Sequence, residues 1–409
     1  MRSGQRIPRW LILIGAMTAV GPVSIDMYLP GFPSIEREFA QSGVERTMAS
    51  YMLGIAVGQL FYGPLSDRFG RKPPLYAGFI LYALGSIGCF MATSMAVLTG
   101  MRVLQALGAC GGMVIGRAIV RDRCEPHEAA RAFSTLMLIV SLGPILAPTL
   151  GGLFVTGFGW RSVFVFQCLF ALTLLTAMHH VLGESRNPAD VVPLDVRGVL
   201  AGYGRLLKDR AFIGYTMVGA CGMAGMFCYV AGSPTVLTRE YGLSPQQFGW
   251  MIGLNGIAFM TAGRLNMIAL RTRGPAELLA RAVWFPLLAG VLLVSLTFIV
   301  HPPLWSVILL QFSFFISVGR ANPNVAALAL APHGREAGSA SALMGSLQSA
   351  VAMIAASAVA AFSDDTLRTL AIIMTVGAAI SVMSFLLTRT KSLAPVASNL
   401  LPRSPGEEN

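Results

Sequence analysis

Long apolar runs, separated by short clusters of Arg, Lys, Pro and Gly, recur along almost the whole chain. A bilayer core takes about 20 apolar helical residues to cross. Runs of that length begin near Trp10, Thr47, Pro74, Val97, Ala132, Arg161, Ala211, Gln246, Leu278, Leu304, Ala337 and Arg368. The pattern predicts an all-α integral membrane protein with twelve transmembrane helices and short polar joints. The longest internal polar stretch, residues 183–210, carries Glu184, Arg186, Asp190, Asp195, Arg197, Arg205, Lys208, Asp209 and Arg210 with Pro188 and Pro193, and it divides the chain almost evenly. The layout is therefore a six-helix bundle over 1–182, a cytoplasmic linker over 183–210, a second six-helix bundle over 211–391 and a disordered tail over 392–409, rich in Pro, Ser and charge. The first apolar run is too long for a removed leader and lacks a small-residue cleavage signature, so it is expected to be the first span.

Composition leads to the same class. The 409 residues are 55% hydrophobic and 12% charged, with a mean hydropathy of +0.66, too few charges to cover a water-soluble domain of this size. The net charge of +11 would suit nucleic acid only if it formed an exposed stripe with interleaved aromatics. Instead, most of the 30 basic residues fall in the first tail, in the loops after even-numbered spans and in the last tail. By the positive-inside rule both termini are cytoplasmic, and no nucleic-acid partner is expected. Trp10, Trp160 and Trp305 stand near span ends, as interfacial tryptophans do. The six cysteines lack metal-like spacing and read as small core residues, and His179-His180 as a solvated pair at a span end. No metal, cofactor, phosphate loop or nucleophile–base pair is visible, which excludes an enzyme or an ATP-driven pump.

The internal charges carry the mechanism. Of the 19 acidic residues, Asp26 alone lies within an apolar span, joined by Arg102 in the fourth span and Arg320 deep in the tenth. A membrane-embedded ionisable group is expensive and is a functional candidate by default. Counting at about 1.5 Å per residue, Asp26 and Arg102 come to similar depth in the outer half. They can form a static ion pair, or Asp26 can be poised between its protonated and ionised forms and exchange a proton for a substrate. Arg320 does not match this depth; an anionic substrate or a helix end would suit it.

Between the second and third spans runs Gly63-Pro64-Leu65-Ser66-Asp67-Arg68-Phe69-Gly70-Arg71-Lys72, which resembles motif A of the major facilitator superfamily. Asp67 can accept hydrogen bonds from the N-terminus of the eleventh helix, and Arg68, Arg71 and Lys72 can pair with acids such as Asp122. Ala262-Gly263-Arg264-Leu265-Asn266 occupies the corresponding loop of the second half without an aspartate. Ser24-Ile25-Asp26-Met27-Tyr28-Leu29-Pro30 resembles the first-helix signature of the Bcr/CflA group of drug:proton antiporters, and Arg102-Val103-Leu104-Gln105-Ala106-Leu107-Gly108 is similar to motif B. Gly143-Pro144-Ile145-Leu146-Ala147-Pro148-Thr149-Leu150-Gly151-Gly152 is similar to antiporter motif C, with Pro144 and Pro148 bending the helix and Gly151 and Gly152 permitting close packing.

The resemblance implies two six-helix bundles related about the membrane normal, with a substrate site between them near the midplane. It implies Asp26 and Arg102 as proton-coupling residues, a motif A latch holding the outward-facing state, and export of small amphiphilic antibacterials such as phenicols, sulfonamides or bicyclomycin from a bacterial inner membrane. Asp26, Tyr28, Tyr51, Met52, Met137, Phe227, Tyr229, Asn255, Phe259 and Asn324 supply the aromatic, thioether and amide surfaces expected to meet substrate. A monomer is expected, with protons, drug-like substrate and lipid as its partners. Export of an amino acid, nucleobase or sugar is the alternative transport reading, and a non-transporting receptor or scaffold the remote one.

Overall fold

The computed structural model describes residues 8–124, 132, 135–136, 139–140, 142–185, 196–299, 301–362 and 366–392. It is all-helical among those residues. In chain order the α-helices are α1 (Arg9–Asp26), α2 (Phe32–Phe39), α3 (Glu45–Phe69), α4 (Lys72–Phe90), α5 (Met95–Arg123), α6 (Gly143–Phe158), α7 (Arg161–Val181), α8 (Val196–Lys208), α9 (Arg210–Tyr241), α10 (Pro245–Ala269), α11 (Pro275–Ala282), α12 (Trp284–Ile299), α13 (Leu304–Leu330), α14 (Ala337–Phe362) and α15 (Leu367–Ser392).

Nine stretches among the described residues are long and apolar enough to cross a membrane. The 25-residue helices α3 and α10 fall outside that set although they are long enough. Each carries buried amides, Gln59 in α3 and Asn255 and Asn266 in α10, which lower its hydropathy because they bond to neighbouring helices instead of meeting lipid. The tail after 392 and residues 186–195 of the linker lie outside the described residues.

Helix starts are written locally. Ser94 accepts from the Val97 N–H, Asp209 from Ala211 and Phe212, and Ser244 with Gln247 forms a reciprocal capping box at the start of α10. Small residues then set how closely the helices approach. A Cβ at Gly54 would fall 2.7 Å from the Val103 carbonyl, one at Gly85 2.6 Å from the Gln105 backbone nitrogen, and one at Gly58 2.7 Å from Cys110 Sγ. These glycines let α3 and α4 lie directly on α5.

The helices up to α7 pack mainly among themselves, as do those from α9 onward. Among the described residues the two most extensive seams between the sets are α3 with α14 and α6 with α10. Along the first, Ser346 Oγ donates to the Ala56 carbonyl (2.7 Å) and Gln59 Nε2 to Ser349 Oγ (3.4 Å).

The structure adds a helix to the linker and changes one expectation. The linker contains α8, whose Val199, Tyr203 and Leu206 pack on the ends of α3, α9 and α14, with the Tyr203 hydroxyl donating to the Leu60 carbonyl at 3.3 Å. Trp160 is buried instead of interfacial. Its indole donates to Glu38 Oε2 at 2.7 Å and its ring meets Phe39 and Phe164, so a polar partner inside the protein replaces the headgroup region.

Candidate functional site

Helix α1 ends at Asp26, and a single 3-10 turn over Leu29–Gly31 leads into α2. Pro30 and Pro33 have no N–H to continue the helical ladder, so the chain breaks there. Ser24 and Asp26, about 200° apart around the helix axis, consequently meet different surroundings. Asp26 is partly exposed and makes no hydrogen bond or ion pair among the described residues. Ser24 is buried: its hydroxyl donates to the Val20 carbonyl (2.6 Å) and lies 2.5 Å from the Tyr82 hydroxyl.

Arg102 lies on the Ser24 side of α1. Its side chain is 0% exposed. Nη1 donates to the Ser24 carbonyl (3.2 Å) and to Gln105 Oε1 (2.6 Å), while the guanidinium carbon sits 4.7 Å from the Tyr28 ring centroid and 4.1 Å from that of Tyr51. Nε and Nη2 have no partner. The Gln105 amide is itself oriented, because its Nε2 donates to Ser86 Oγ (2.7 Å) and Gln167 Oε1 (2.8 Å). A polar chain thus runs from α7 through α5 to the back of the first helix. The static Asp26–Arg102 ion pair that the sequence allows is not formed; helix geometry turns the two residues' neighbourhoods apart.

Motif C packs against the end of α1 at Met27. Gly151 lies so close to the Met27 carbonyl that a Cβ there would overlap it, and a Cβ at Gly152 would fall 2.8 Å from the Pro245 carbonyl. Gly249 of α10 presses in turn on the Pro148 carbonyl. Helix α6 is therefore wedged between the end of α1 and the start of α10, with backbone against backbone on both sides. Gly143 is in ordinary contact with Val23, and Pro144 opens α6, where its missing N–H costs nothing.

Motif A forms a second cluster at the opposite end of α3. Gly70 takes a positive φ of 82°, and a side chain there would also crowd the Glu184 carboxylate. That carboxylate accepts from the N–H groups of Arg71 (2.9 Å) and Lys72 (3.1 Å) at the N-terminus of α4, where a negative charge is favoured. The Arg71 side chain is 4% exposed; it donates to both Asp122 oxygens (2.7 and 3.2 Å), to Asp67 Oδ1 (2.8 Å) and to Ser66 Oγ (2.8 Å). Burial opposes its charge, but Asp122 and Asp67 outweigh that and hold its pKa above the ordinary value. Among the described residues Arg68 and Lys72 make no ion pair, lying instead over the rings of Phe69 and Tyr76. A Cβ at Gly63 would meet nothing within 4 Å.

The family model for the Major Facilitator Superfamily matches residues 12–357. This chain belongs to the Major Facilitator Superfamily. It is 34% identical to "Uncharacterized MFS-type transporter YdgK" of Bacillus subtilis (strain 168), with 91% of this chain and 93% of that protein aligned. It is 28% identical to "Bicyclomycin resistance protein homolog" of Haemophilus influenzae, with 94% and 97% aligned. Among solved structures, the inward-facing, occupied bacterial homolog of the human lysosomal transporter Spinster superposes with a TM-score of 0.69 at 15% identity, over 93% of this chain and 96% of that one. The protein is a multi-pass transporter, not an enzyme.

Of the transporter's remaining expected substrate contacts, several are packed away. Tyr28, Tyr51, Met52, Tyr229, Asn255 and Asn324 are buried, and most have internal partners. Tyr28 meets Thr47 (3.1 Å), Phe32 and Phe164; Asn255 Oδ1 accepts from Gln311 (2.7 Å); Asn324 donates to Asn266 (2.8 Å) and to the Arg320 carbonyl (2.8 Å). Phe227 and Phe259 are partly exposed, Phe259 packing edge-on to Phe315. Met137 lies outside the described residues. Arg320 is partly buried, with its Nε unpaired.

Three charges escaped the sequence reading. Glu36 (7% exposed) accepts from the N–H groups of Gly43 and Val44 and from Arg239 Nη2 at 3.3 Å, and Glu45 (2% exposed) accepts from Thr235 at 3.1 Å. Both carboxylates tie the start of the chain to α9 beside a cavity of about 480 Å³ lined by Pro33, Arg37, Gln41 and Thr238. Being at helix ends, they read as solvated in sequence. The third is Arg117 in α5, whose position inside a membrane helix shows only once α5 is seen to run on to Arg123.

Proposed function

We propose that this transporter is a proton-coupled exporter of small, amphiphilic antibacterial compounds, of the kind that bicyclomycin, phenicols and sulfonamides represent. The observation that carries the reading is the Asp26 carboxylate at the end of α1, without a partner among the described residues and one position before Met27, whose carbonyl lies on Gly151 of α6. An ionisable group left without a partner there is free to take a proton or a substrate in turn. Arg102, held two residues away on the Ser24 carbonyl, biases Asp26 without neutralising it. The name of the bicyclomycin-resistance relative and the motif C resemblance support export over uptake.

In this reading twelve spans form two bundles over 1–182 and 211–391 in a bacterial inner membrane, and the Arg71 end and both termini are cytoplasmic. Protons enter from the other face, protonate Asp26 and release substrate outward. The motif A cluster latches the outward-facing state through Asp67 and the start of α14. Drug-triggered proton movement in proteoliposomes tests this, comparing wild type with Asp26→Asn across phenicols and other antibacterials. Flux in the wild type alone supports antiport through Asp26. Equal flux in both removes Asp26 from coupling, and no flux with any antibacterial turns the reading to metabolite export.

A further inference from the structure

Arg117 lies in α5 six positions before the helix ends at Arg123. It is exposed, yet its Nη1 donates across to Ser341 Oγ of α14 at 3.3 Å and its Nε to the Met113 carbonyl at 3.1 Å. The backbones of α5 and α14 are not packed along each other, so the side chain reaches over a gap between the two sets of helices. A lipid-facing arginine would not bridge to the other set; this one stands in the space between them. Among the described residues it has no carboxylate partner. Asp122, the acid nearest to it along α5, is engaged by both Arg71 and Ser185. A cation at membrane depth whose partners are a hydroxyl and a carbonyl has an anion's place open beside it.

The register of α1 against α5 relates that place to Asp26. A Cβ at Gly21 would touch Met113 Sδ, and the two helices run antiparallel, with Gly112 and Gly116 on Met17 and Ile14. From the backbone contact of Gly112 with Met17, Asp26 lies nine positions beyond Met17 in one direction and Arg117 five beyond Gly112 in the other, about 21 Å apart along the axis at 1.5 Å per residue. The flexible arginine stem shortens the distance between the charged ends.

We infer that Arg117 forms a subsite for the anionic group of the substrate, so that the transporter accepts amphiphilic carboxylates, and zwitterions whose amine lies toward Asp26. The guanidinium plane matches a carboxylate in two-point contact, and Ser341 adds a hydroxyl from the other set of helices. This rests on the export reading above but does not follow from it, since phenicols and bicyclomycin carry no carboxylate.

The test uses full-length purified protein and a matched pair of probes, a zwitterionic fluoroquinolone and its methyl ester, with chloramphenicol as a neutral reference, all measured by equilibrium dialysis. Wild type should bind the acid at least about tenfold tighter than the ester, as one charge-assisted contact gives. Arg117→Gln should lose that preference while keeping chloramphenicol binding, and Arg117→Lys should recover part of it. Equal binding of acid and ester by wild type overturns the subsite without any mutation. So does a preference that survives in Arg117→Gln. If folded wild type binds the neutral reference and neither quinolone, the subsite fails and drug export stands; if it binds none of the three, the export reading falls with it.

Discussion

Replacing Arg102 by Met separates coupling from stability, because the contributions at this site nearly cancel. The guanidinium donates two hydrogen bonds, to Ser24 and Gln105, and lies against two tyrosine rings. Two charge-assisted bonds at about 2 kcal/mol each and two ring contacts at about 1 kcal/mol each make about 6 kcal/mol lost on substitution. Against this, the substitution removes two buried unpaired nitrogens, Nε and Nη2, at about 2 kcal/mol each, and a residual charge-desolvation cost of about 3 kcal/mol. The sums agree to about 1 kcal/mol, and Met fills much of the arginine stem's volume. Arg102→Met should therefore unfold within a few degrees of wild type in a detergent thermal melt, while drug-driven proton flux in proteoliposomes drops at least about tenfold. A melt lowered by more than about 3 kcal/mol would mean that Arg102 holds the fold together. Unchanged flux with unchanged stability would remove the buried cation from the coupling mechanism.

Gly249→Val places a side chain on the Pro148 carbonyl, where backbone meets backbone and neither side can swing away; it should cost about 1–3 kcal/mol and most of the transport rate, while Gly263→Val, with nothing within 4 Å, leaves uptake assays in everted vesicles unchanged. Arg71→Ala leaves Asp122 without its guanidinium and should lower thermal stability by about 3 kcal/mol, whereas Arg68→Ala on the exposed side of the same loop should cost under about 0.5 kcal/mol. Gln59→Cys with Ser349→Cys, in a background whose native cysteines are Ala, should crosslink α3 to α14 and stop transport until reductant is added; transport by the crosslinked protein would show that this seam does not move.

The first-helix signature was legible because its chemistry is local. Asp26 stands out in sequence as a carboxylate in an apolar run, and Pro30 marks where the helix must end. Arg71 and Asp122 were also matched as partners, since a loop cation and an acid at the end of the fourth span come to the same side of the bilayer. What sequence could not assign was the face of each helix. Tyr28 lies in the turn after α1, and Tyr51 and Asn255 on helices with only weak amphipathicity, so periodicity does not separate a cavity wall from a packed interior, and the structure packs them inside. Glu36 and Glu45 were passed over for the opposite reason. They sit near helix ends, where charges are ordinarily solvated, and it is the fold of the 43–44 turn over Glu36 and the approach of α9 to both that engage them.

The sequence by itself determined the membrane class, the helix starts, the breaks at proline and the presence of a carboxylate, Asp26, in the first apolar run, because each follows from hydropathy and backbone chemistry. The tertiary structure alone decided which partners those charges take. Arg102 rests on the Ser24 carbonyl and two tyrosine rings, Glu184 from the linker caps α4, and Arg117 reaches toward α14. Each of these pairings joins residues 40 or more positions apart. A helix commits its own backbone hydrogen bonds locally, so nothing in one helix specifies which neighbour its side chains will find.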